Sequence, residues 1–249
     1  MRLKLISCEI FLREFCTLVA RSQNTIDVEF LPKGLHDIGA EGMRTRLQAA
    51  LDRVEDDKYE AILMGYGLCN NGLVGLVARK VPLVLPRAHD CITVFLGSAK
   101  RYEEYFNSHH GVYFKTTGWI ERGRADGELS QLAIGQQLGM HHTYEELVKR
   151  YGEDNARFLF DELQQITKNY RQFTFIEMGI EPDGSYEERS RKEAAERGWI
   201  FEKVKGDLGM AQRFVDGIWD DKEFLVVPVG SRIIADYEHG IIAAESTGA

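Results

Sequence analysis

The chain has 249 residues, 44% hydrophobic and 28% charged, ordinary proportions for a folded protein that exclude collagen-like, disordered and coiled-coil classes. Thirty-one Lys and Arg against 39 Asp and Glu give a net charge of -8, the wrong sign for a general binder of phosphate backbones, so no nucleic acid is expected as a partner. No apolar run approaches the ~20 residues that span a bilayer, so no membrane partner is expected, and four cysteines without an export signal point to reduced thiols in the cytoplasm.

Short β-branched runs alternate with segments of helical period, the pattern of a mostly parallel α/β sheet built of βαβ units with flanking helices. Residues 3–7 read as a strand, 9–21 as a helix with Phe11, Phe15 and Leu18 on one face, 25–30 as a second strand, 39–54 as a helix and 61–64 as a third strand. A short helix is expected over 73–78 and a fully buried strand over 81–85. Residues 101–109 read as a helix, 112–115 as a strand, 118–127 as a polar loop and 144–169 as helical with a break at Gly152. A second α/β stretch follows, with strands over 173–177, 199–204 and 224–229 and helices over 186–197 and 210–218. The simplest organisation is a single α/β domain over 1–249 with a sheet of about seven strands. The alternative has two Rossmann-like lobes, 1–135 and 170–249, joined by a helical segment over 140–170.

In an open parallel sheet, ligands bind outside the carboxyl ends of the strands. That rule selects Cys8 after the first strand, Cys69 after the third and Cys91 after the fourth. Thiolates are soft donors suited to zinc or to an iron–sulfur cluster. His89 can complete a zinc site of three thiolates and one imidazole, whereas a four-iron cluster held by three cysteines leaves one iron open to substrate. His89 and Asp90 also form an acid/base candidate, and Arg87 is placed to clamp a carboxylate or phosphate. Gly67, Asn70, Asn71 and Gly72 lie in a turn between a strand and an expected helix, where backbone N–H groups can cradle a cofactor or anion. That turn lacks the Walker lysine and the dinucleotide spacing. Arg232, in the turn Val229-Gly230-Ser231-Arg232, can close the same crevice.

Other residues read as structural. Cys16 is expected as a small hydrophobe packed inside the first helix. The pairs His109-His110 and His141-His142 are expected in solvent, residues 187–196 as a charged helix face, and Trp119, Trp199 and Trp219 as core or rim aromatics.

Cys8 with the helix behind it, the turn Tyr66-Gly67-Leu68-Cys69-Asn70-Asn71-Gly72 and the element from Pro86 through Cys91-Ile92 to Ser98 together resemble an uncharacterised prokaryotic family, domain of unknown function 1638. Gly206-Asp207-Leu208 and residues 224–229 are similar to its C-terminal part. The resemblance implies that Cys8, Cys69 and Cys91 match the family's cysteine positions, and Arg87 and His89 its basic and imidazole positions. It also implies an association with corrinoid-dependent methyl-transfer systems of anaerobes and methanogens. The expectation is a cytoplasmic metal-thiolate protein that carries zinc, or alternatively a four-iron cluster. It would act on a small molecule in thiol- or corrinoid-linked methyl transfer, with a methyltransferase or corrinoid protein as partner. Two rivals are a metal-free, racemase-like cysteine acid/base enzyme acting on a small carboxylate, and a non-catalytic accessory module for a methyltransferase.

Overall fold

A computed structural model describes the chain except for Asp56, Asn70, residues 124–126 and 133–143, Asp154, residues 159–168, Tyr237, His239 and Ala249. Its first strand, β1 (Arg2–Cys8), pairs in parallel with β2 (Thr25–Leu31) on one side and β3 (Ala61–Gly65) on the other. β3 pairs in parallel with β5 (Leu83–Pro86), and β9 (Phe224–Val227) closes that edge antiparallel. The sheet order is β2-β1-β3-β5-β9. Every residue of β3 and β5 is buried, as continuous apolar runs must be when both faces of a parallel sheet are covered. The protein is therefore α/β, with a mostly parallel central sheet flanked by helices.

Two helices connect the first three strands. α1 (Leu12–Val19) continues a 3-10 turn at Glu9–Phe11, and α2 (Gly39–Asp52) follows a second such turn at Lys33–Ile38. Phe11 stacks on Phe95 with ring centroids 4.5 Å apart, Phe15 lies 6.1 Å from Phe214, and Phe214 stacks on Phe224 at 5.6 Å. These aromatics supply large buried area to one core that also holds Ile176 and Met178. Among the described residues no helix is long and apolar enough to cross a membrane.

The expected sheet of about seven strands is instead three sheets. β6 (Val112–Lys115), β7 (Gln172–Glu177) and β8 (Ile200–Lys205) form a separate parallel sheet, because β9 already occupies the free edge of β5. The third is antiparallel, with β10 (Ser231–Asp236) between β11 (Ile241–Ser246) and the short β4 (Val77–Ala78).

The helix expected over 73–78 is a turn leading into β4. Gly72 and Gly75, the latter at φ 87°, weaken a helix there, and Gly75 N–H is drawn to Ile233 O at 2.8 Å. After the helices α3 (Cys91–Leu96) and α4 (Ala99–Ser108), the loop expected over 118–127 opens as a helix, α5 (Thr117–Glu121), because the Thr116 hydroxyl accepts the Trp119 N–H. The last strand expected from sequence stops at Val227, before Pro228, and the hairpin of β10 and β11 follows it. Of the helical segment expected over 140–170, a helix at Tyr144–Tyr151 is described and most of the rest lies outside the described residues.

Candidate functional site

The strand order reverses between β1 and β3, the topological point where ligands bind in open α/β sheets. Cys8 ends β1, and Cys69 and Cys91 sit in the loops after β3 and β5. Backbone hydrogen bonds stitch those two loops together: Leu68 N–H donates to Ala88 O at 2.8 Å and Cys69 N–H to His89 O at 3.1 Å. Gly67 makes this approach possible, since a Cβ there would lie 2.7 Å from the Asp90 main chain. It thus serves the packing of the two loops. The turn is strained, with Cys69 at φ 48° and Asn71 at φ 64°, both in the left-handed region. Gly72 N–H bonds back to Cys69 O at 3.1 Å.

Trp119 arrives from α5. Gly118 lets that helix abut the turn after β1, since a Cβ on Gly118 would lie 1.8 Å from Ile10 O. The indole Nε1–H then donates to Cys91 Sγ at 3.3 Å. Cys69, Cys91, His36, His89, Asn71 and Trp119 are among the residues lining a cavity of about 670 Å³, within the range of small-molecule sites.

The electrostatics of this edge are set by burial. Cys8 is 1% exposed, and desolvation, followed by the charge of Glu9, pushes its thiol up to about 12 against a backbone N–H from Ile10. Burial raises Cys69, with further contributions from Cys8 and Asp90, and it raises Cys91, with further contributions from Cys69 and Asp90. The three thiols are thus within electrostatic reach of one another, and with no cation they stay protonated near neutral pH. Two buried polar atoms beside them have no hydrogen-bond partner among the described residues, His36 Nε2 and the Tyr66 hydroxyl. Burial lowers His36 to about 4, helped by the Lys33 charge, and raises Tyr66, helped by Cys8 and Cys69. The His36 atom, on a residue that lines the cavity, costs about 1–3 kcal/mol unless something in the cavity bonds to it. Among the described residues, no three His, Cys, Asp or Glu side chains are grouped to hold a metal ion as they stand.

The remaining predicted residues have other partners. His89 is exposed, its ring 6.4 Å from that of Tyr102. Asp90 caps α3 (Cys91–Leu96) by accepting from Ile92 N–H at 2.9 Å and Thr93 N–H at 3.3 Å, and its other oxygen accepts from the Tyr102 hydroxyl. The Arg87 guanidinium donates to the carbonyls of Asp221, Gly240 and Ile242, which anchors the C-terminal hairpin, and Arg87 is not among the cavity-lining residues. Arg232 stands opposite Glu245 in that hairpin and pairs with it. Asn70, His141 and His142 lie outside the described residues.

Two structural expectations are corrected. Cys16 is exposed, because the helical period turns Glu14, Phe15 and Leu18 inward and leaves Cys16 on the outer face. His109 is not free in solvent: its ring stacks on Tyr105 at 4.1 Å, with Nε2 3.6 Å from Glu202. Sequence reading missed His36, Tyr66 and Trp119. The strand-end rule that selected the cysteines also reaches His36 after β2 and Tyr66 after β3, whereas nothing local marks Trp119.

No curated protein matches the chain, and no solved structure does. The family model described as "Protein of unknown function (DUF1638)" matches residues 30–215, a span that contains His36, Cys69, Cys91 and Trp119 and begins after Cys8. That span is well over half of the sequence, and the chain belongs to the DUF1638 family.

Proposed function

We propose that this protein binds a thiophilic metal, zinc or a four-iron cluster, through Cys8, Cys69 and Cys91, with His89 or His36 as a further donor, and acts on a small molecule held in the adjoining cavity. One observation carries the reading: three free, buried thiols gather at one sheet edge, where burial raises all three and the charges of Cys8 and Cys69 raise Cys69 and Cys91 further, an arrangement that a bound cation relieves. The orphaned His36 Nε2 fits the same donor set. When bound, such a metal holds a substrate thiol as thiolate, which suits methyl transfer to or from a thiol or corrinoid carried by a partner protein. The chain's own residues bury the thiols and hold Cys91 through the Trp119 indole. Because no three donors among the described residues are grouped as they stand, loading has to draw side chains inward.

A metal-free reading, with Cys69 and Cys91 as acid and base on a small carboxylate, is favoured by that ungrouped arrangement. It is opposed by the burial that keeps both thiols protonated.

Metal content and visible absorption, measured on protein purified without oxygen, separate the two. About one equivalent of zinc, or an iron–sulfur chromophore, that is lost in Cys8→Ser, Cys69→Ser and Cys91→Ser alike is expected. Folded, metal-free wild-type protein that takes up neither would overturn the proposal.

A further inference from the structure

A second cavity of about 670 Å³ lies on the other side of Trp119. It shares Tyr113, Phe114 and Trp119 with the thiol cavity, so the two are neighbours. Their linings differ in charge. The second cavity is lined by three cations, Lys33, Lys115 and Arg189, and by one carboxylate, Glu121. Glu121 is already committed, accepting from Arg13 Nε and from the Tyr186 hydroxyl at 2.7 Å. Lys33 lies at the junction: its ammonium sits 5.1 Å from the Trp119 ring centroid and 3.0 Å from Asp37, which lines the thiol cavity. Lys115 pairs with Glu193 and lies over the Phe173 ring. Arg189 is exposed and has no ion pair among the described residues. Trp119 therefore presents its N–H to Cys91 and its ring to Lys33, one wall serving both chambers.

We propose that the basic chamber binds the anionic group, phosphate or carboxylate, of an elongated small molecule whose other end reaches the thiols. Arginine and lysine around a partly enclosed, aromatic-walled cavity suit this chemistry, since charge-assisted bonds strengthen where water is excluded. The substrate class is an anion long enough to pass Trp119. This inference rests on the thiol cavity being the reacting end, yet anion binding itself needs no metal.

The test is calorimetric titration of the full chain with inorganic phosphate and, separately, with succinate, on wild type, Arg189→Glu and Lys33→Gln. Saturable binding of at least one probe to wild type is expected, weakened at least about tenfold by Arg189→Glu and by Lys33→Gln. Binding of phosphate alone assigns a phosphate group, and of succinate alone a carboxylate. A probe-induced change in tryptophan fluorescence that Trp119→Phe abolishes places the anion in this chamber. Arg189 is exposed, so its variant should keep the wild-type melting temperature and remain informative if Lys33→Gln unfolds. Binding of neither probe, or binding unaltered by Arg189→Glu, would overturn the inference. Anion binding that persists in protein unable to take up metal would leave it standing while the metal reading fell.

Discussion

Asp90, which lines the thiol cavity, shows how a residue that reads as chemistry also carries structure. Beside His89 in sequence it suggests an acid/base pair, yet one oxygen caps α3 and the other accepts from Tyr102. Replacing it with alanine is expected to cost about 1 kcal/mol of stability, and with asparagine much less, because the amide oxygen still caps. Urea unfolding of the two variants checks this, and an equal loss in both would mean that capping is not its contribution. At this scale the sequence located Cys69, Cys91 and His89 at one sheet edge, since strand ends follow from apolar periodicity. It left out His36, because its interest lies in an orphaned, buried Nε2, a property created by packing. Arg87 looked available for the same reason in reverse: the carbonyls it binds lie more than 130 residues away in sequence.

Elements were legible where one face alone had to be buried. α1 appears as expected, but its inner face includes Glu14, which is 2% exposed with Oε2 unpartnered among the described residues. Burial pushes that carboxyl up to about 7 from an ordinary 4.5. The folded state then holds the proton more tightly than the unfolded chain, so stability falls as pH rises from about 4.5 through about 7 and levels off above. The loss is about 3 kcal/mol in all. Glu14→Gln should flatten that profile and exceed wild type at pH 8 in denaturant titrations; an unchanged slope would assign the pH dependence to other groups. Residues 73–78 failed as a helix because two glycines and a strand partner 150 residues away in sequence outweighed a weak apolar period.

For the molecule as a whole, burial sorts the thiols into one and three. Of four cysteines, only Cys16 is exposed. A disulfide reagent should therefore label Cys16 promptly in native, metal-free protein, Cys69 and Cys91 slowly because burial keeps them protonated at the cavity wall, and Cys8 only on unfolding. Prompt labelling of two or more would contradict the buried edge. Composition and local periodicity by themselves determined the α/β class, the parallel βαβ start and the placement of cysteines at strand ends, since each depends on residues within a turn or strand of one another. Tertiary structure alone decided that β9 enters antiparallel, that β6 to β8 form their own sheet, and that Gly118 carries Trp119 to Cys91. Those outcomes depend on which edges and buried faces complement each other across the chain, and no local pattern of apolar and polar residues specifies that.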